Sequence, residues 1–334
     1  MSKLTEYLKN LKKADILVIG DIILDHYIWG KVNRISPEAP VPVVFVTKEN
    51  FVPGGAANVA VNISSVKGQV SLCGIVGDDN YGDVLLNILK ERSVQTSGIV
   101  KDKNRHTTLK TRVIAGHQHV VRIDREEPID AQGECLKGIK DYIKSNRDKF
   151  NVVIISDYAK GLVTKELVKV LRDQMKNAFF IADPKVKNEY LYKELHLITP
   201  NRKEAFEIAK MIDDGTEKTL IAAAVKIIKE LKLPHLLITR GEEGMSLFID
   251  NKHIKIPTFA QEVFDVSGAG DTVVALIAAG LSSGLDIIKS CIIANIAASV
   301  VVGKMGTSTA TIDEIEKKWS LMDRAVKKEL EKYL

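Results

Sequence analysis

The sequence predicts an α/β fold: a doubly wound, mostly parallel sheet flanked by helices, with a small β lid. Three observations predict it. Short β-branched runs alternate with helical patterns along nearly the whole chain. Of the 334 residues, 45% are hydrophobic, mainly Val, Ile, Leu and Ala, and only 6% are aromatic, a bias that suits strands buried on both faces. Two further stretches break the alternation, and a small β lid accounts for them more economically than a surface insertion.

The buried strands are expected at 16–19, 70–75, 152–155, 179–182, 196–198 and 236–239. Helices are expected between them at 56–66, 83–92, 133–145, 165–175, 202–209 and 218–230, and then at 272–281 and 286–302. The run 40–47 is a strand interrupted by proline, which suits an edge position. The stretch 107–125 reads as a hairpin turning near Gly116 and His117, with Leu109, Thr111 and Val113 alternating against Thr108, Lys110 and Arg112. No repeat, linker or low-complexity segment interrupts the pattern. The expected organisation is one domain over 1–334, with lid strands from about 26–47 and 107–125. In such sheets ligands bind beyond the carboxyl ends of the strands, so the strand-to-helix loops are where chemistry belongs.

Charge and cysteine usage narrow the class. There are 48 basic and 43 acidic residues, a net charge of +5 with the signs mixed, which favours an anionic small substrate over nucleic acid. Cys73, Cys135 and Cys291 are widely spaced with no metal or redox motif, as in a reduced cytoplasmic protein. The charged stretch 1–13 is no signal peptide, and no apolar run approaches the ~20 residues needed to span a bilayer, so no membrane association is expected.

The strongest motif is Asp265-Val-Ser-Gly-Ala-Gly-Asp-Thr272 before an apolar helical run. Gly268 and Gly270 let the backbone turn so that consecutive amides face one anion, and the helix dipole adds to that site. Asp271 at the mouth of a phosphate site makes sense as a base for an attacking hydroxyl. The plainer alternative is a helix N-cap. The helix dipole would favour its ionised form.

Pro53-Gly-Gly-Ala-Ala-Asn58 opens the first long helix, where Gly54 and Gly55 allow close approach and Asn58 offers a donor and an acceptor to hydroxyls. Asp25 beyond the first strand can accept from two hydroxyls. Each of these could instead be a turn or a cap. Asn201 and Glu204 fit a capping box, or a pair near phosphates with Glu204 ordering the waters of Mg²⁺. Thr239, Gly241 and Gly244 form a loop between strands that is either a plain hairpin or a nucleotide loop. Lys160 and Lys185 sit at strand ends as candidate phosphate ligands or solvated lysines. Residues 116–119 read as a polar turn. No GxxxxGK[ST] loop, complete GxGxxG turn or HExxH motif is present.

Taken in order, Asp25, Gly54-Gly55 with Asn58, Asn201 with Glu204, Thr239 with Gly241, and Gly268-Ala269-Gly270-Asp271 resemble the ribokinase-like (PfkB) carbohydrate kinases over almost the whole chain. The resemblance implies ATP and Mg²⁺, a base at Asp271 and an anion hole at Gly268, Ala269 and Gly270. It also implies a monovalent cation such as K⁺ held by Asp265 and Ser267, and a homodimer through the lid. Within the family, 20–27, 34–42, 157–161 and 183–185 look like the kinases of D-glycero-β-D-manno-heptose 7-phosphate, which serve ADP-heptose synthesis. A basic residue such as Arg112, Lys160 or Lys185 would then hold the sugar's existing phosphate. Some members carry a fused nucleotidyltransferase domain. Here the sequence ends soon after the last motif, so a kinase activity alone is expected.

Overall fold

The computed structural model describes residues 3–116, 118–259 and 263–334. Its strands are β1 (Asp15–Gly20), β2 (Ile22–Ile35), β3 (Pro42–Gly55), β4 (Gln69–Gly77), β5 (Gln95–Asp102), β6 (Thr108–Ala115) and β7 (Gln118–Arg125). They continue with β8 (Val152–Ser156), β9 (Phe179–Asp183), β10 (Leu197–Ile198), β11 (His235–Thr239), β12 (Met245–Ile249) and β13 (Lys252–Ile256). The larger sheet runs β13-β12-β11-β10-β9-β8-β1-β4-β5 among the described residues. Its pairs are parallel except β11–β12 and β12–β13.

The apolar strands lack polar alternation because both faces are covered. Along β1, Ile16 and Val18 join one core while Leu17 and Ile19 join the other, and β8 repeats this with Val152 and Ile154 against Val153 and Ile155. The first core receives the helices Ala56–Ser65, Ala269–Ser282 and Ile287–Val301. The second receives Gly133–Ser145, Lys165–Gln174, Arg202–Ala209 and Glu217–Leu231. From β1 the chain winds out to β4 and β5 on one side and to β8, β9 and beyond on the other. The carboxyl ends of β1 and β8 therefore flank a topological switch point, where a crevice opens.

The second sheet has the order β3-β2-β6-β7, with β2 and β6 parallel and the other pairs antiparallel. The proline-interrupted run 40–47 opens into β3, an edge strand, as expected. The hairpin is β6–β7, and His117 of its turn lies outside the described residues. Strand β12 follows the Thr239–Gly244 loop as expected, whereas β5 and β13 and the helices Lys3–Asn10, Ile312–Ser320 and Arg324–Glu331 were not legible in the sequence pattern. Among the described residues no helix is long and apolar enough to cross a membrane.

Candidate active site

Asp271 stands in the first turn of the helix Ala269–Ser282, whose N-cap is Gly268. Its carboxylate therefore does not cap the helix. Gly268 is in the left-handed region at φ 79°, and a Cβ there would lie 2.8 Å from Asn58 Nδ2, so only glycine lets Asn58 pass beneath the turn. Asn58 Nδ2 donates to Asp271 Oδ2 at 2.7 Å, and the Tyr158 hydroxyl donates to Oδ1 at 2.8 Å.

Behind this pair the network continues. Asn62 Nδ2 donates to Asn58 Oδ1 at 3.2 Å, and Thr272 Oγ1 donates to Asn62 Oδ1 at 2.9 Å, which fixes the amide with its donors toward Asp271. Burial pushes the Asp271 carboxyl up to about 6, although Asn58 and Tyr158 pull it down. The helix dipole favours the ionised form, as expected, while loss of solvent works against it. At neutral pH the group is still mostly ionised.

Tyr158 carries no warning in the sequence. It reaches Asp271 because Asp21, just past β1, gathers its loop. Asp21 Oδ2 accepts from the amides of Tyr158 at 2.8 Å and Lys160 at 3.0 Å, while Oδ1 accepts from Leu162 at 3.1 Å. Asp157 accepts from the Tyr192 hydroxyl at 2.5 Å and from Asn188 at 2.8 Å, which pins the same loop from below.

The amides of the glycine turn divide into used and open. Ala269 N–H donates to the Val266 carbonyl at 3.2 Å, so it is not free for a ligand. The amides of Gly270 and Asp271 have no partner among the described residues, and the space around Gly270 is open. The amides left open to a ligand are therefore those of Gly270 and Asp271, with Ala269 serving the turn.

On the small sheet, Asp25 is buried and accepts from Arg112 Nη1 at 2.6 Å. A Cβ at Gly54 would sit 2.5 Å from Asp25 Oδ2, so the glycine makes room for this carboxylate. Gly55 follows at the end of β3, where β3 pairs with the start of β2. Arg112 is thus tied to Asp25 and also lies 5.3 Å over the Tyr27 ring.

On the other side of Tyr158, Asn201 and Glu204 form a complete capping box. Glu204 Oε1 also accepts from Lys185 Nζ at 2.9 Å, and that ammonium lies 5.3 Å over the Tyr158 ring. Burial alone would lower the Lys185 ammonium, but Glu204, Asp183 and Asp157 raise it. Lys185 therefore joins Glu204 to the Tyr158 ring, whose hydroxyl meets Asp271. Thr239 bridges Asn201 across the strand ends, and Gly241 and Gly244 carry the hairpin that follows. Lys160 Nζ is paired with Glu126 Oε1 at 2.6 Å.

The donor set also bears on metal ions. Asp183 is pushed well up by burial and by the charges of Asp271 and Glu204, a crowding of carboxylates that a divalent cation relieves. Among the described residues no three His, Cys, Asp or Glu side chains converge on one ion. These residues fit a Mg²⁺ that keeps its water and phosphate ligands. Asp265 spends Oδ1 on the Ser267 amide at 2.9 Å and Oδ2 on the Gly306 amide at 3.0 Å, which ties the glycine turn to the 304–309 loop.

Residues 13–314 match the model of the pfkB family carbohydrate kinases. The chain is 44% identical over 308 residues to the bifunctional protein HldE of Pelobacter propionicus, covering 91% of this chain but 63% of that protein. It therefore spans less than two thirds of that relative. Among solved structures, phosphofructokinase-2 of Escherichia coli in complex with potassium matches with a TM-score of 0.77 at 17% identity, over 92% of this chain and 98% of that one. Ribokinase of Arabidopsis thaliana complexed with ribose and ATP matches with a TM-score of 0.72 at 19% identity, over 91% and 98%. These two likenesses speak to the fold, and the ribokinase-like architecture agrees with the two sheets described above. With the family model covering most of its length, the chain belongs to the pfkB family of carbohydrate kinases.

Proposed function

We propose that this chain transfers the γ-phosphoryl group of ATP·Mg²⁺ to the anomeric hydroxyl of D-glycero-β-D-manno-heptose 7-phosphate, giving the 1,7-bisphosphate. One observation carries the reading: a buried carboxylate, Asp271, with donors on both oxygens, beside two open amides at a helix N-terminus. The proposal covers the kinase activity alone.

Asp271 accepts the proton of the attacking hydroxyl as the O–P bond forms and the γ-phosphate's bond to ADP breaks. The amides of Gly270 and Asp271 face the charge on the moving phosphoryl group. Lys185 stands beside the same charge, and Glu204 orients the metal's waters. Mg²⁺ supplies charge neutralisation on the phosphates. Asp25 and the backbone at Gly54 and Gly55 receive sugar hydroxyls, while Asn58 acts mainly through Asp271. Thr239, Gly241 and Gly244 line the nucleotide side with Asn201. A K⁺ near Asp265 and Ser267 would steady the glycine turn, and the potassium complex of phosphofructokinase-2 supports testing for one.

The heptose assignment rests on the 44% identity to a protein named HldE and on the stretches quoted above. A cytoplasmic setting follows from use of ATP. Exposed Phe45, Val46, Val121 and Ile123 on the small sheet support a homodimer formed there, with the sheet acting as a lid. A kinase for fructose 6-phosphate or a nucleoside is the nearest rival. A sensor without turnover has no use for the Asp271 arrangement.

The test is ATP consumption across heptose 7-phosphate, free heptose, fructose 6-phosphate, tagatose 6-phosphate and a nucleoside, with the product's phosphate position read by ³¹P NMR. Highest kcat/KM for heptose 7-phosphate with a 1-phosphate product is expected. A higher value for any other acceptor overturns the assignment.

A further inference from the structure

The small sheet's inner face carries a charge that the protein leaves unanswered. In register, Asp25, Lys110 and Asp124 lie side by side across β2, β6 and β7, and Tyr27, Arg112 and Arg122 follow two positions along. Side chains two apart share a face, so these six project together on the face that bears Asp25. Lys160 and Glu126 border it. Three pairs account for most of the charge. Arg112 meets Asp25 at 2.6 Å, Arg122 meets Asp124 through two bonds of 2.7 and 2.5 Å, and Lys160 meets Glu126 at 2.6 Å.

Lys110 is left over. Its ammonium is half-buried and has no hydrogen bond or ion pair among the described residues. Loss of solvent and the nearby Lys160 pull it down from the ordinary lysine range, with Arg122 adding and Glu126 and Asp124 only partly offsetting them. A half-desolvated cation among other cations is costly unless something anionic completes it. A neutral hydroxyl would not supply the missing charge. Unused donors surround the same place: Arg112 has committed only Nη1, and Arg122 only Nε and Nη2. A lysine and two guanidinium edges on one face suit a tetrahedral anion with three free oxygens. Lys185, the other strand-end candidate, is engaged with Glu204 on the nucleotide side.

We propose that Lys110, with the free donor edges of Arg112 and Arg122, binds the non-reacting phosphate monoester of the acceptor and sets the preference for a phosphorylated sugar. This rests on the reading above that the acceptor is a sugar phosphate. Lys160 then serves chiefly to neutralise Glu126, and Lys110, which no motif had singled out, takes the role expected of it.

Lys110→Met keeps the stem and removes the charge. kcat/KM is measured with heptose 7-phosphate and with free heptose, for the unmodified protein and the variant, with circular dichroism and thermal unfolding on the same samples. The ratio of the two values should fall about 10–100-fold, mostly through KM for the phosphorylated sugar, the usual scale for one charged hydrogen bond. Lys110→Arg should recover part of it. A merely structural lysine would lower both values alike, and an unchanged ratio in folded Lys110→Met overturns the proposal. Should Lys110→Met not fold, Lys110→Gln carries the same comparison. If the unmodified protein does not prefer the phosphorylated sugar, the substrate reading fails, and inorganic phosphate then judges the subsite. With a non-hydrolysable ATP analogue and Mg²⁺ saturating, phosphate should raise the unfolding temperature of the unmodified protein and not that of the variant. No rise, or an equal rise in both, overturns the subsite too.

Discussion

Two carboxylates face the crevice, and they are held in opposite ways. Asp271 is fixed by neutral donors from distant parts of the chain, Asn58 and Tyr158, 213 and 113 residues away. Asp25 sits on the small sheet and is neutralised by a cation on the neighbouring strand, Arg112. Burial without a full counter-charge raises the first toward neutrality, which suits a proton acceptor. A cation beside the second pairs it with the neighbouring strand of the smaller sheet. On the proposed reading, the contrast separates a floor placed for chemistry from an accessory face placed to meet the acceptor.

The sharpest way to break this contrast is to remove the proton-accepting oxygen. Asp271→Asn should slow single-turnover phosphoryl transfer by ~10²–10⁴-fold. The sign of its stability effect follows from the raised carboxyl. A folded-state value of about 6 against an ordinary 3.8 means the fold favours the protonated form. That stabilisation is present below about pH 4 and is lost as pH rises through about 6, so at pH 7 the ionised group costs roughly 3 kcal/mol. Relief of that cost should offset the weakened bonds to Asn58 and Tyr158, and the variant should unfold within a few degrees of the unmodified protein. Near-normal transfer would remove Asp271 from the mechanism.

Smaller effects should come from the donors. Asn58→Ala should lower kcat/KM by roughly 1–3 kcal/mol, and it should act on kcat as well as on KM because the amide holds the base. A loss confined to KM would return Asn58 to a sugar-binding role. Tyr158→Phe deletes one hydroxyl and should cost about tenfold in kcat, the scale of a charged hydrogen bond of ~1.4 kcal/mol. The mildest change is Glu204→Gln. It leaves a side chain able to accept from Asn201 and should raise the half-saturating Mg²⁺ concentration by a few-fold while barely moving the sugar KM. An unshifted Mg²⁺ titration would reduce Glu204 to a helix cap.

The two regions also differ in how legible they were. The strands of the larger sheet announce themselves because both faces are buried, as the split of Ile16 and Val18 from Leu17 and Ile19 shows. Asp271 with Gly268 and Gly270 was legible because turn, anion and base chemistry fall within four residues. Strands β2 and β3 run for 14 residues each, yet only the region near their crevice ends is buried, so burial leaves no continuous pattern to read. Tyr158 was hidden because its role depends on Asp21 capturing amides 137–141 residues away. Lys185 illustrates the limit of motif reading: its place at a strand end suggested a sugar-phosphate ligand, whereas only the fold sets it against Glu204.

The central claim is that Asp271 is the base and that its neighbours tune it. The most direct measurement is the pH dependence of kcat/KM for the unmodified protein and for Tyr158→Phe. The unmodified protein should lose activity tenfold per unit below about pH 6 as Asp271 takes up a proton. A sugar phosphate titrates near 6 as well, so the decisive reading is the displacement between the two proteins. Loss of the Tyr158 bond, which lowers the Asp271 carboxyl, should move the acidic limb to higher pH. An acidic limb at the same pH in both proteins would contradict the account.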